Sequence, residues 1–297
     1  MTDVRGVDYF NLGSIASALE DVDTVISVTS AIDGTQPQIQ LNLLNAAISA
    51  GCRRFVPSHW GMGRKAYESG AFGILEGGVW EECLKRCSEV ECARFNNGLF
   101  LNYLGYGILS RQMKDKAAQP TLKKLQAGGG YAEGGDSALE GITPEGDMPD
   151  GEGAFFMSLK SAIAEMPVKE DGSWPRISLT SVRDVGRFVA ASLDLPRWER
   201  DMNIIGDTLT AGELIELGER VTGEKFNVNK LKRGDLRGQL DALPDESIER
   251  LPLEFKESYC RDEEGLGWST PTVNELCPEI KPMSTEQYLR KWWTYRS

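Results

Sequence analysis

Hydrophobic residues follow two alternating patterns along the first part of the chain. TVISVTS, residues 24 to 30, is a β-branched run without polar alternation, which is typical of a strand buried on both faces of a parallel sheet. Residues 36 to 50 place their apolar side chains at helical spacing, and Gly51 follows as a helix end. RFVPS, residues 54 to 58, predicts the next strand.

The same patterns predict further elements on both sides. Strands are predicted at residues 4 to 10, 90 to 95, 176 to 182 and 202 to 206, and helices at residues 14 to 20, 75 to 88, 184 to 195 and 210 to 221. Ser14 is the predicted N-cap of the first helix, and Thr210 with Glu213 forms a predicted capping box. This alternation predicts an α/β fold with right-handed crossovers in a parallel sheet.

Two segments interrupt the alternation. Residues 126 to 153 are rich in Gly, Glu, Asp and Pro, which predicts a long exposed loop or lid, or a disordered segment. After Asn227 the pattern is irregular and ends in YLRKWWTYRS, whose Trp292 and Trp293 we expect to dock on the main body. We therefore predict a core of residues 1–110 and 176–226, an insertion or lid at 111–175, and a C-terminal substrate lobe at 227–297.

The net charge and the cysteine positions exclude some kinds of binding partner and of metal site. The 297 residues carry a formal net charge of -12, so the average surface repels nucleic acid and anionic membranes. The sequence has neither a signal peptide nor an apolar stretch of about 20 residues, and we expect a cytoplasmic protein. Cys83 and Cys87 are one helical turn apart, but no CxxC pair occurs and the single histidine, His59, is distant, so we predict no metal site.

Five segments, in this order, resemble the NmrA-like family, the atypical short-chain dehydrogenase group that includes isoflavone reductases and many fungal secondary-metabolism proteins. They are ALEDVDTVIS (18 to 27), GCRRFVPSHWG (51 to 61), ECARFNNGLFLNYLG (91 to 105), SLTSVRDVGRFVAASLDLPRWE (178 to 199) and IIGDTLTAGELIELGERVTGEKF (204 to 226). The resemblance implies a Rossmann-like, doubly wound parallel sheet with a smaller C-terminal substrate lobe.

The chain departs from the family pattern at the cofactor. The first matched element is similar to the family's third strand, so we expect an N-terminally truncated sheet without the GxxGxxG turn that holds the pyrophosphate of NADPH. The exposed strand edges would then need a cover: the C-terminal tryptophans, the Met1 to Val4 leader, or a second subunit in a homodimer. The lysine of family reductases falls among Glu76, Gly77 and Gly78, and Lys65 is a weak substitute.

A third departure is the PSHWG motif, which places His59 at the carboxyl end of a strand. An imidazole with an ordinary pKa can exchange protons at cellular pH, or it can simply order the loop. By resemblance the candidate catalytic residues are His59, Tyr103 and Asn97, and the candidate substrate-binding residues are Ser58, Trp60, Asn96 and Phe100. Thr29 and Ser30 would line a nucleotide if one binds.

Three functions follow from these departures. The first is a cofactor-independent enzyme of secondary metabolism that isomerises, cyclises, dehydrates or condenses a small aromatic or polycyclic molecule by proton transfer. The second is an NADPH-dependent oxidoreductase of the isoflavone-reductase type. The third is a non-catalytic regulatory or sensor protein. We expect no nucleic acid or membrane partner in any of them.

Overall fold

The computed structural model of the chain describes residues 4–31, 33–68, 77–104, 156–159, 161–245, 247 and 249–293. The helices are α1 (Leu12–Ala18), α2 (Gln36–Ser49), α3 (Arg64–Glu68), α4 (Val79–Lys85), α5 (Val182–Ser192), α6 (Ala211–Thr222), α7 (Arg233–Asp241), α8 (Arg250–Tyr259), α9 (Val273–Leu276) and α10 (Thr285–Trp293), with a 3₁₀ turn at Leu101–Leu104. The strands are β1 (Thr24–Ile26), β2 (Arg54–Val56), β3 (Glu91–Cys92), β4 (Arg94–Asn96), β5 (Leu99–Phe100), β6 (Met157–Ser158), β7 (Ile163–Val168), β8 (Arg176–Thr180), β9 (Asp201–Asn203), β10 (Asp207–Thr210) and β11 (Asn227–Lys232).

The first half of the chain forms the predicted parallel sheet. β2 pairs in parallel with β1 on one side and with β3 on the other, and β4 pairs in parallel with β9, from the second half of the chain, as a two-stranded sheet. The single strand predicted at 90 to 95 is therefore two short strands with different neighbours, which meet at the buried residue Ala93. The prediction of an α/β fold with parallel crossovers is confirmed.

Helices cover both faces of this sheet. Phe55 of β2 packs in a cluster with residues of α2 and α4, whereas the next residue, Val56, packs with residues of α5 and α9. Both side chains are fully buried, because successive residues of a strand point to opposite faces. This arrangement explains why the sheet strands lack polar alternation in sequence.

The C-terminal half is more regular than its sequence pattern predicted. β8 pairs in parallel with β5 and antiparallel with β10, and β7 pairs in parallel with β11 and antiparallel with β6. The predicted capping box is confirmed, because the Thr210 hydroxyl accepts from the Glu213 amide and the Glu213 carboxylate accepts from the Thr210 amide. Strand β7 lies in the segment predicted as an insertion, while residues 126 to 153 lie outside the described residues.

The predictions for the N-terminal segment are partly wrong. Residues 4 to 10 form no strand, because a strand needs a hydrogen-bonded neighbour and none of the described residues pairs with them. Helix α1 begins after Asn11, whose side chain accepts from the Ser14 amide at 3.1 Å, so Asn11 and not Ser14 is the N-cap. In the described part of the chain, the outer edge of β1 also has no partner strand.

The aromatic C-terminus docks on the main body as predicted, but not over the edge of β1. Trp293 is 6% exposed and donates from Nε1 to the Leu104 carbonyl at 3.0 Å, in a cluster separate from β1. The side chain of Trp292 lies outside the described residues. None of the helices described is both long and apolar enough to cross a bilayer.

Candidate functional site

The carboxyl ends of β1 and β2 lie side by side, and the PSHWG segment follows β2. The Ser58 hydroxyl donates to the Thr29 carbonyl at 2.7 Å, and the Ser58 amide donates to Oε1 of Gln40 at 2.8 Å. Ser58 thus ties the two strand ends to helix α2. The Ser58 hydroxyl uses its only hydrogen in the bond to Thr29, so it could contact a substrate only as an acceptor. The substrate contact predicted for Ser58 stays a prediction.

Two glutamines missed by the sequence prediction hold the loop after β1. Gln40 is fully buried and donates from Nε2 to Thr29 Oγ1 at 2.6 Å and to Ser27 Oγ at 3.0 Å. Gln36 donates to the Thr29 carbonyl at 2.9 Å and accepts from the Ala31 amide at 3.0 Å. The available signal was their spacing, because both lie one turn apart on the buried face of α2.

His59 is buried beside this network, with 4% of its surface exposed. Burial, and then the nearby positive charge of Arg94, lowers the pKa of His59 to about 3. The imidazole is therefore neutral at cellular pH, and the ordinary pKa expected from the sequence is not retained. The low pKa argues against the alternative in which His59 exchanges protons at cellular pH, and the alternative in which it orders the loop stays a prediction.

We predict that His59 makes the folded protein sensitive to acid. Below pH 6.5 the unfolded chain protonates this imidazole, whereas the folded protein does so only near pH 3, so stability falls as pH falls through this window. The free energy of unfolding should fall by about 1.4 kcal/mol per pH unit below pH 6.5, which gives a loss of about 2 kcal/mol by pH 5. Urea unfolding at pH 7 and pH 5 measures this loss, and His59→Gln should lose about 2 kcal/mol less stability between the two pH values than the unmodified protein. Equal losses in both proteins would contradict the prediction.

Trp60 is anchored on both its polar and its apolar side. Its Nε1 donates to the Ser27 carbonyl at 2.8 Å, and its ring stacks on Phe95 of β4 with centroids 5.8 Å apart. The indole therefore fixes the PSHWG loop against the sheet. A partly exposed aromatic surface remains for the substrate contact predicted from the sequence.

Asn96 and Asn97 end β4 and are both buried. Asn96 donates to Oδ1 of Asn203 at 2.8 Å and so ties β4 to β9. The Asn97 amide donates to the Gly61 carbonyl at 2.9 Å, which brings the PSHWG loop against the end of β4. The Oδ1 atoms of both asparagines have no hydrogen-bond partner among the described residues, so each retains an acceptor.

Phe100 and Tyr103 follow on β5 and the 3₁₀ turn, with ring centroids 6.1 Å apart. Burial raises the pKa of Tyr103, so its phenol stays protonated at neutral pH and acts as a hydrogen-bond donor, not a base. A further tyrosine, Tyr259 at the end of α8, is fully buried in the hydrophobic cluster against which Tyr103 packs. Sequence reasoning missed Tyr259, because no motif marks its segment.

Comparison with known proteins identifies the family. Residues 4–72 match the sequence model of the NmrA-like family. The chain is also 30% identical to Oxidoreductase BOA1 from Botryotinia fuckeliana over an alignment of 303 positions, which covers 97% of this chain and 83% of that protein. The chain belongs to the NmrA-like family.

Solved structures agree with an NmrA-like fold. The structure of AtPrR2 with NADP+ and (+)-pinoresinol superposes with a TM-score of 0.63 at 17% identity, covering 96% of this chain and 80% of that one. An isoflavone reductase superposes with a TM-score of 0.60 at 14% identity, covering 96% and 79%. These similarities confirm the predicted Rossmann-like fold class.

The NmrA-like chain lacks a lysine at the start of α4. Gly78 is the N-cap of this helix in a left-handed conformation, and Glu76 lies outside the described residues. Lys65, the weak substitute, is 45% exposed and pairs with the Glu263 carboxylate at 3.0 Å. Its ammonium group is thus engaged in an ion pair at the surface.

Thr29 and Ser30 lie in the loop after β1, because the strand predicted at residues 24 to 30 ends at Ile26. Ser30 is exposed, Val28 is 75% exposed, and the Thr29 backbone is held in place by Gln36 and Ser58. In the described ranges, however, no GxxGxxG-type turn joins a strand to a helix. Contact of Thr29 and Ser30 with a nucleotide stays a prediction, and the described residues include no turn of the kind that holds a pyrophosphate.

Proposed function

We propose that this protein is an oxidoreductase of the isoflavone-reductase type that transfers hydride between NADPH and a small aromatic molecule. The observation that carries the proposal is the 30% identity to an oxidoreductase over 97% of the chain. The exposed Ser30 supports it, because it follows Thr29, whose carbonyl accepts from Ser58 of the PSHWG motif. On these grounds we rank hydride transfer above the proton-transfer chemistry that the departures from the family motifs favoured.

The chain's own residues supply binding and orientation in this proposal. NADPH, when bound along Thr29 and Ser30, would supply the hydride. The rings of Phe100 and Tyr103 would pack against an aromatic substrate, and Asn97 would hold the PSHWG loop in place through its backbone hydrogen bond to Gly61. The Tyr103 phenol, protonated because burial raises its pKa, would donate to a substrate oxygen.

NADPH titration followed by nicotinamide fluorescence tests the proposal, and we expect binding in the micromolar range. Ser30→Asp should weaken binding about tenfold, because a carboxylate in the loop after β1 repels the negatively charged nucleotide. Ser88→Asp is the matched control, since Ser88 is also exposed but precedes β3 at the opposite end of the sheet. No NADPH binding by the unmodified protein, or equal effects of the two substitutions, would contradict the proposal.

One observation favours a second candidate function. Gly78 stands at the start of α4, where family reductases place their lysine, and the described residues offer no pyrophosphate grip. Under this alternative the protein isomerises, cyclises, dehydrates or condenses a similar molecule without NADPH. The low pKa of His59 argues against that residue as the proton carrier. Turnover that persists after complete removal of nucleotide would support this candidate against hydride transfer.

A further inference from the structure

A cavity of about 350 Å³ lies where strands β7 and β11 end. The last residues of these parallel strands, Val168 and Lys232, pair with each other, so the segments that follow them lie side by side. Gly172 and Gly234 also line the cavity, and nothing lies within 4 Å of a Cβ atom built on either. Both glycines and Lys232 are exposed. A small molecule can therefore reach the cavity from solvent, and the volume is typical of ligand sites.

The walls of this cavity carry more positive than negative charge. Glu170 is the anion among the lining residues that the structure describes, and four of the others are cations. The chain as a whole has a formal net charge of -12, so the sign is opposite to that of the average surface. A cavity lined mainly by one sign of charge concentrates ions of the other sign. We call it the basic cavity, defined by the cations Lys169, Lys232, Arg233 and Arg237 with the glycines Gly172 and Gly234.

A buried carboxylate fixes the arginine side of the basic cavity. Glu257 is 5% exposed, accepts a hydrogen bond from Nε of Arg233 at 2.7 Å and lies 3.8 Å from Nε of Arg237. It also accepts from Arg261 at 3.3 Å. Glu170, which lies 3.5 Å from Arg233, is 83% exposed and therefore offsets little of this positive charge. Three guanidinium groups thus share one buried carboxylate, and their mutual repulsion would fall if an anion bound.

Two of the four cations remain without a carboxylate of their own. None of the ion pairs among the described residues involves Lys232, and Arg237 is 60% exposed beside a carboxylate that Arg233 already occupies. By contrast, Lys169 lies 3.8 Å from the carboxylate of Asp262. A phosphate monoester carries a charge of about -1.5 to -2 at neutral pH. Its charge therefore matches the two cations that remain.

We propose that the basic cavity binds a phosphate group, either as orthophosphate or as the monoester of a small molecule. Arginine presents paired donors that match phosphate oxygens, and lysine adds a point charge. Arg233, held by Glu257, is the preorganised donor, and Lys232 and Arg237 supply the charge that the phosphate neutralises. None of these residues belongs to the candidate functional site, so the inference goes beyond the proposed function.

Titration followed by phosphorus NMR tests the proposal, with inorganic phosphate and AMP as separate probes at low ionic strength. The double variant Lys232→Gln with Arg237→Gln should weaken binding about thirtyfold, because it removes two charged donors. Arg197→Gln with Lys281→Gln is the matched control. Both of its residues are exposed cations outside the basic cavity, and the change in net charge is the same.

The two probes separate the two sources of a phosphate group. Tighter binding of AMP than of inorganic phosphate identifies a monoester as the ligand, and the reverse order identifies free phosphate. Either result supports the proposal if the double variant in the cavity loses it and the control does not. No binding of either probe, or equal weakening in the two double variants, would overturn the proposal.

Gly234→Glu tests the cavity without removing a cation. Gly234 has no positive φ and lies in the first turn of α7, where a glutamate favours the helix, so the fold should not lose stability. The new carboxylate enters the open space and repels phosphate, and we expect no measurable binding of either probe. Gly186→Glu in α5 is the matched control, since Gly186 is exposed with nothing within 4 Å of its Cβ. Unchanged binding in Gly234→Glu, or equal loss in Gly186→Glu, would contradict the proposal.

The two proposals fail separately. The phosphate titrations contain no NADPH, so absence of NADPH binding counts only against the proposed hydride transfer. If NADPH is bound and consumed but neither phosphate probe binds, only the inference about the basic cavity is wrong.

Discussion

Gly98→Ala is expected to destabilise the protein by about 3–5 kcal/mol, the sum of a backbone cost of about 1–2 kcal/mol and an overpacking cost of about 2–3 kcal/mol. Gly98 has φ +65, and a Cβ atom on it would lie 2.3 Å from the carbonyl oxygen of Ser178. Ser178 cannot move aside easily, because it lies in β8 between β5 and β10. The strand end must therefore shift as a whole.

Gly172→Ala is the matched control for this change. Gly172 has φ +79, but nothing lies within 4 Å of a Cβ built on it. It should show only the backbone cost of about 1–2 kcal/mol. Urea unfolding of both variants measures the difference, and equal losses would contradict the proposed close approach between Gly98 and β8.

Gly98→Ala should also abolish function in whatever fraction stays folded. Gly98 lies between Asn97 and β5, and its amide donates to the Gly61 carbonyl at 2.8 Å. A displaced strand end moves Asn97 and Phe100 away from the PSHWG loop. Turnover close to that of the unmodified protein would argue against a site at this loop.

Arg54→Met is expected to cost about 3–5 kcal/mol, because it removes one partner from a buried network of charged and polar groups. Arg54 is 0% exposed, forms an ion pair with Glu91, and donates to the carbonyls of Leu193 and Leu195 at 3.1 and 2.7 Å. Its guanidinium carbon also lies 4.4 Å from the ring centroid of Trp198. Methionine fills much of the volume but leaves Oε2 of Glu91 and the two carbonyls without the Arg54 donor.

Arg53→Met is the control for the loss of charge alone. Arg53 is the neighbouring residue and also pairs with a carboxylate, Asp23, but 48% of its side chain is exposed. Exposed ion pairs contribute little, so this substitution should change stability only slightly. Chemical unfolding at neutral pH compares the two. Similar losses of stability in the two variants would show that burial does not determine how much Arg54 contributes to the free energy of unfolding.

The fold class could be predicted from the sequence, because it depends on local patterns, whereas the location of the site stays a prediction. The β-branched run at 24 to 30 and the helical spacing at 36 to 50 are each visible within one element. PSHWG and the Asn96–Asn97 pair end strands, and parallel strands bring their carboxyl ends to one edge. The structure brings these two segments together through the hydrogen bond between Asn97 and Gly61.

Element ends and splits could not be predicted in the same way. The strand at residues 4 to 10 had an acceptable pattern but has no pairing partner among the described residues. The break at Ala93 arises because β3 and β4 pair with different strands, and no local pattern reports a change of neighbour. Tertiary pairing decided both outcomes.

By itself, the sequence determined the alternation of strands and helices, the capping box at Thr210, and the chemical groups at the strand ends, since these are properties of neighbouring residues. Only the tertiary structure decided how those groups behave. The pKa of His59 depends on burial and on Arg94, and the unpartnered hydroxyl of Tyr259 depends on segments more than a hundred residues apart in the chain. Burial and long-range contacts determine the free energy of a charged group or of a hydrogen bond, and neither can be predicted from neighbouring residues in the sequence.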